Sequence, residues 1–108
     1  MILNGFLFLD ENDTTGESNA LNCSTAEQLT LTVEPASGAT IDLTVSGRAD
    51  MESNEWHTLG AISLIDYEPV NPIEAGGAYA FVVSGLNQVK VTNNGTAGNC
   101  TVFGTLSA

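Results

Sequence analysis

The stretch GGAYAFVVSGLNQVKVTNNG, residues 76–95, decides the fold because it holds two strand patterns and three turn signals. Within AYAFVVS, Tyr79, Phe81 and Val83 alternate with their neighbours, and the two valines of QVKVT do the same. A period of two is typical of a half-buried β-strand. The segments GLN and NNG carry the residues that favour turns. The stretch therefore predicts a β-meander.

The same alternation continues on the N-terminal side, in EQLTLTVE (27–34) and ATIDLTVSG (39–47). Every second residue of these segments is apolar and is predicted to face the core: Leu29, Leu31, Val33, Ile41, Leu43 and Val45. Between them PASG (35–38) supplies a proline that presets one dihedral angle and a glycine that permits a positive one. The two segments are therefore predicted to form an antiparallel hairpin.

Further strands are predicted towards the C-terminus. EWHTLGAISLI (55–65) indicates one central strand with Trp56 in the core and Gly60 at a bulge or close contact. Two prolines in DYEPVNP (66–72) prevent a regular central strand there, and CTVFGTLS (100–107) alternates again. Eight or nine short strands result, without a convincing helical repeat. They predict one all-β domain over residues 1–108, an antiparallel β-sandwich of Greek-key or jelly-roll type, with a small closed barrel as the alternative.

The apolar start MILNGFLFL (1–9) allows two interpretations. No Lys or Arg precedes it and no small-residue cleavage site follows it, so it is not predicted to be a signal peptide, and it is too short to span a bilayer. It is predicted to be either the first strand or an arm that packs on a neighbouring molecule. In the second case Ile2, Leu3, Phe6 and Phe8 are the candidate contacts to another copy or to a capsid.

The charge of the chain limits its partners. Thirteen Asp and Glu stand against two Lys and Arg, which gives a net charge of −11. A polyphosphate or an anionic membrane would repel such a protein, so nucleic acid and membrane are not expected as partners. The acidity indicates a solvated surface, with docking to a basic protein or binding of cations as the alternatives.

The sequence offers few groups for catalysis. His57 is the single histidine, and it is predicted to lie at a solvent edge, opposite Trp56 on its strand. There is no Gly-x-Ser-x-Gly segment, no phosphate loop and no zinc spacing. Cys23 and Cys100 are expected to be two buried thiols, and a disulfide between them stays open. No enzyme, no catalytic residue and no cofactor are therefore predicted.

Two segments offer residues for a ligand site. DENDTTGE (10–17) offers the oxygen atoms of Asp10, Asn12, Asp13 and Glu17 to a calcium ion, but its spacing departs from the EF-hand loop, so a solvated turn is favoured. Tyr67 is the aromatic residue predicted to be free for stacking on a sugar ring.

The segments EWHTLGAISL, GGAYAFVVSGLNQVKVTNNG and TVFGTLS together resemble the small β-sandwich structural proteins of tailed-bacteriophage virions. A Trp-led strand, a Gly-x-Tyr-x-x-x-Val-x-Gly-Leu segment and a final Thr-Val-x-Gly strand recur in that group, and the resemblance covers about residues 55–107. It brings no catalytic residues.

The resemblance implies a non-enzymatic virion protein, made in the host cytoplasm without a signal peptide. A capsid decoration (cement) protein on the head is the favoured role, as a homotrimer bound to the major capsid or another virion protein. The alternative is a tail or baseplate module that recognises carbohydrate and is stabilised by calcium.

Overall fold

The computed structural model describes residues 2–13, 16–49, 52 and 54–108, and of residues 2–4 and 11–13 the backbone alone. The described residues form eleven strands, three of them only two residues long. In chain order these are β1 Ile2–Asp13, β2 Gly16–Glu17, β3 Leu21–Asn22, β4 Gln28–Pro35, β5 Leu43–Arg48, β6 His57–Leu59, β7 Ala61–Ser63, β8 Pro69–Val70, β9 Gly77–Val82, β10 Gln88–Asn93 and β11 Asn99–Ser107.

Two antiparallel sheets pack face to face. One has six strands in the order β1-β11-β4-β9-β7-β8, and the other has the order β2-β10-β5-β6 with β3 also paired to β10. The predicted all-β sandwich is confirmed, whereas its assignment to the Greek-key or jelly-roll type stays a prediction. No helix long and apolar enough to cross a membrane occurs in the described part of the chain.

The core lies between the sheets and is built from the residues that the alternation selected. Leu29, Leu31 and Val33 of β4 are buried, as are Leu43 and Val45 of β5. The inward valines of β10 and β11 complete the same layer. Each such side chain contributes roughly 1.5–3 kcal/mol by leaving water.

The predicted hairpin of β4 and β5 is wrong. The turn exists, with Gly38 at a φ of 79° and a hydrogen bond from the amide of Ala39 to the carbonyl of Ala36. It leads from one sheet to the other, however, because β4 pairs with β9 and β11 while β5 pairs with β6 and β10. The prediction failed because both sheets bury the same kind of alternating strand, so the pattern does not say which sheet a strand joins.

The predicted meander is wrong for the same reason. β9 and β10 lie in different sheets, and the turn between them, with Gly85 at a φ of 87°, is a crossing. The predicted single strand at 55–65 is likewise two short strands, β6 in the smaller sheet and β7 in the larger, which meet at Gly60.

The N-terminal segment forms β1, which pairs with β11. A register shift between Leu7 and Leu9 interrupts the alternation, so that the consecutive residues Phe8 and Leu9 are both buried. Gly104 of β11 makes room for this packing, because a Cβ atom there would overlap the Phe8 ring. β1 therefore contributes to the core of its own molecule.

Both cysteines are buried free thiols. Cys23 lies just after β3, and Cys100 lies in β11 of the larger sheet. Burial raises the pKa of each thiol above its ordinary value, so both stay neutral near pH 7.

Candidate functional site

The middle of the outer side of the six-stranded sheet has no charged side chain among the described residues, and we call this area the uncharged face. It is formed by outward residues of β1, β11, β4, β9 and β7 and by the residue that follows β7: Leu7, Thr30, Thr32, Ile62, Leu64, Ala78, Ala80, Val82, Phe103 and Thr105. They point outward because each alternates with a buried neighbour on its strand.

Strand register arranges these residues in rows across the sheet. One row runs Leu7, Phe103, Thr32 and Ala78, and the hydrogen bond from the amide of Leu64 to the carbonyl of Ala78 extends it. The side chains at the centre of the row are small, whereas those at its two ends are large and apolar. Phe103 is 43% exposed, Leu7 47% and Leu64 38%.

The β1 margin of the uncharged face rests on a glycine. Phe103 lies across β1 at Gly5, where a Cβ atom would overlap its ring. The ring packs against the Gly5 backbone, while its own outer surface stays exposed beside Leu7. The two side chains form a raised apolar margin.

The opposite margin carries an open apolar groove. Ile62, Ala80 and Val82 line it together with Leu59 and Ala61, at the point where the chain crosses between the sheets. Val82 is 78% exposed although it is fully apolar. A surface valine alone needs no explanation, but several contiguous apolar side chains are typical of a binding surface.

Carboxylates border the uncharged face, and one of them, Glu34, is the outward residue of β4 that follows Thr32. Glu34 lies at one end of β4 and Glu27 just before its other end, while Asp66 and Glu68 lie in the turn after β7. These four carboxylates thus lie at strand ends and in a turn. The uncharged face therefore has an acidic rim.

The outer side of the smaller sheet is organised differently, and we call it the clamped face. Trp56 packs there against the two cationic side chains of the chain, with Arg48 Cζ 4.6 Å and Lys90 Nζ 4.3 Å from its ring centroid. Lys90 also pairs with Glu17 at 3.1 Å, and Arg48 Nε donates to Gln88 Oε1 at 2.9 Å. The prediction that Trp56 is a core residue is wrong, because the ring is half-buried under these cations.

The predicted calcium ligands are only partly described. Asp10 is exposed, and Glu17 is paired with Lys90. The side chains of Asn12 and Asp13 lie outside the described residues. Among the side chains that are described, no group of three or more His, Cys, Asp or Glu is placed to hold a metal ion. The calcium site stays a prediction.

The structure describes two of the four predicted contact side chains, those of Phe6 and Phe8, and places both against the core. Phe8 is buried and Phe6 packs on it edge to face, with ring centroids 4.8 Å apart, so both rings serve the core of their own molecule. The exposed side chain between them is that of Leu7. The side chains of Ile2 and Leu3 lie outside the described residues.

His57 and Tyr67 are both exposed, as predicted. His57 Nε2 lies 4.0 Å from a carboxylate oxygen of Glu55. Tyr67 is 75% exposed and has a φ of 60°, an unusual conformation for a non-glycine residue. The sole tyrosine besides it, Tyr79, is buried, and its hydroxyl donates to the carbonyl of Ala75 at 2.7 Å. Burial, together with the nearby Asp66 carboxylate, raises the pKa of Tyr79.

The uncharged face was not predicted from the sequence, although a signal for it exists. Phe103 and Val82 are apolar residues at positions where the alternation of their strands calls for a polar one. Such out-of-phase residues are a sequence signal for an apolar patch on the outward side of the strands.

Comparison with known proteins gives a likeness of fold. No protein-family model matches the chain, and no curated protein sequence matches it significantly. The crystal structure of the SPBc2 prophage-derived protein YomS is similar, with a TM-score of 0.84 and 17% sequence identity over 95% of this chain and 90% of that chain. At this identity the likeness shows a shared fold, over nearly the full length of both chains.

Proposed function

We propose that this chain is a non-enzymatic structural protein of a phage virion, and that it decorates the outer surface of the head. The likeness to the SPBc2 prophage-derived protein YomS supports a phage origin, since the shared fold extends over nearly the full length of both chains. The motifs in residues 55–107 that resemble virion sandwiches point in the same direction.

The observation that carries the proposal is the uncharged face with its acidic rim. A flat, charge-free surface built on a rigid sheet fits another protein surface better than it fits a small molecule, which needs a concave site. Carboxylates at strand ends and in loops suit attachment to a shell whose exposed groups are basic. Both features match the needs of a small protein that is held on a larger assembly.

Attachment to particles tests the proposal directly. Particles of the phage that encodes the chain, assembled without it, are mixed with the purified protein and sedimented at low and high salt. We expect the protein to sediment with the particles, and less of it at high salt because screening weakens acidic-to-basic contacts. Absence from the particles at low salt would contradict the proposal.

Fractionated particles decide between head and tail. Heads and tails separated on a density gradient are probed for the bound protein, with a Thr58→Glu variant as a control for non-specific charge effects. Binding to heads supports decoration. Binding to tails alone would contradict decoration of the head and favour the alternative role as a tail or baseplate module.

The exposed turn after β7 favours that accessory role as the second candidate. Ile65 is 74% exposed and Tyr67 75%, and the positive φ of Tyr67 holds its ring outward at a conformational cost. An outward aromatic ring flanked by Asp66 and Glu68 fits a sugar, which combines an apolar side with hydroxyl donors. Saturable glycan binding that Tyr67→Ala abolishes would establish this role, and absence of binding on a glycan array would remove it.

A further inference from the structure

We infer that the uncharged face binds the uncharged face of a second copy of this chain, in a two-fold symmetric dimer. The inference concerns the isolated protein and stands whether or not the virion role is correct. It rests on the charge, the shape and the size of the face.

Charge selects the partner. A basic partner would gain charge contacts only at the acidic rim and none in the charge-free middle, whereas an acidic partner can approach closely only where carboxylates are absent. Two copies of this chain, each with a net charge of −11, meet that condition only at surfaces such as the uncharged face. Each face also offers the apolar area that the other leaves exposed.

Shape selects the symmetry. The two margins are large and apolar, with Leu7 and Phe103 on one side and Ile62 and Leu64 on the other. The middle consists of small side chains on β4 and β9, which let two sheets approach to the usual spacing of about 10 Å.

A two-fold axis parallel to β4 and β9 brings the Phe103 margin of each copy against the Ile62 margin of the other. The same contact then occurs twice, as in an isologous interface. This arrangement gives a dimer, and not the trimer that the resemblance to virion sandwiches implies.

Size predicts the strength. The molecule measures 36 × 30 × 23 Å, so its broad side can hold the whole sheet. The five strands that form the uncharged face cover about 24 Å, and its rows extend roughly 20 Å along them, which buries on the order of 1,000 Å² over both copies. That area lies at the lower limit for a specific interface, so we expect a dissociation constant in the micromolar range.

The acidic rim sets the salt dependence. In the dimer the carboxylates near Glu27 and Glu34 of one copy lie close to those of the other, and like charges repel. Salt screens this repulsion and strengthens apolar contact, so dimerisation should tighten with salt. Attachment to a basic shell should instead weaken as the salt concentration rises. The two proposals therefore predict opposite effects of salt, and each can be contradicted without the other.

Molar mass in solution tests the inference. Light scattering and sedimentation equilibrium are measured over a micromolar concentration series at about 0.05 M and about 0.5 M NaCl, where the screening length falls more than threefold. We expect the mass to rise from 11.2 kDa to twice that value, at lower protein concentration in the higher salt. A constant 11.2 kDa, a trimer mass, or weakening by salt would overturn the inference.

Matched variants locate the interface. Thr32→Glu places a carboxylate near the proposed axis, where it faces its own copy, whereas Thr58→Glu makes the same change at an exposed threonine on the other sheet. We expect Thr32→Glu to weaken dimerisation by roughly tenfold or more and Thr58→Glu to leave it unchanged, with both variants folded by circular dichroism. Equal behaviour of the two folded variants would overturn the assignment of this face, and the salt series on the unmodified protein decides the question even if a variant misfolds.

Discussion

The two outer faces of the sandwich differ in how far their large side chains are covered by other residues of the same molecule. On the clamped face, Trp56 is covered by Arg48 and Lys90, and Lys90 in turn is paired with Glu17. On the uncharged face, Phe103 and Val82 have large apolar surfaces that no described part of the same molecule covers. The first face is complete within one chain. The second leaves apolar surface exposed, and this is where a partner gains most by binding.

The largest effect we expect separates the core from the uncharged face. Leu31→Ala should lower the free energy of unfolding by about 2–5 kcal/mol, because Leu31 is fully buried and its truncation leaves a cavity. Val82→Ala, on the neighbouring strand, should change it by less than about 0.5 kcal/mol because Val82 is mostly exposed. Urea denaturation at protein concentrations below those at which the dimer forms measures both changes. A cost for Val82→Ala close to that for Leu31→Ala would mean that the uncharged face belongs to the folding core.

The same contrast explains what the sequence can predict. Leu29, Leu31 and Val33 were identified from alternation alone, because burial on one side of a strand imposes a period of two on any sheet. The partners of these strands were not identified, because Gly38 and Gly85 make tight turns whether the chain returns in the same sheet or crosses to the other. The choice depends on packing across the whole sandwich, which no short window contains.

The candidate site is harder to predict than the core, and for a related reason. Phe103 and Val82 are visible in the sequence as apolar residues out of phase with their strands. Their grouping on one surface depends on the order β1-β11-β4-β9-β7, which joins strands far apart in the chain. For Trp56 the error is the opposite one. Its position in the alternation predicts a core residue, but the structure places it on the clamped face, where two cationic side chains cover it.

A second prediction concerns substitutions that remove the contacts of Trp56 on the clamped face. Trp56→Ala should lower the free energy of unfolding by about 1–2 kcal/mol through the loss of two cation–π contacts, and Trp56→Phe should restore part of it because a ring remains. Urea denaturation of both variants measures the difference. Dimerisation should be unaffected, since Trp56 lies on the other sheet. A dimer that weakens in Trp56→Ala would show that the two faces are not independent.

The smallest effect tests whether the same chemical change acts differently on the two faces. Glu17→Gln removes the carboxylate that pairs with Lys90, and it should lower the free energy of unfolding by about 0.5 kcal/mol, with the loss disappearing at high salt, because Glu17 is 57% exposed.

Glu34→Gln removes a carboxylate from the rim of the uncharged face, and it should leave unfolding nearly unchanged while tightening dimerisation at low salt, because rim repulsion falls. Sedimentation and urea denaturation of the two variants side by side give the comparison. If Glu34→Gln left the dimer unchanged at low salt, the rim would lie outside the interface, and the two copies would have to meet farther along the strands.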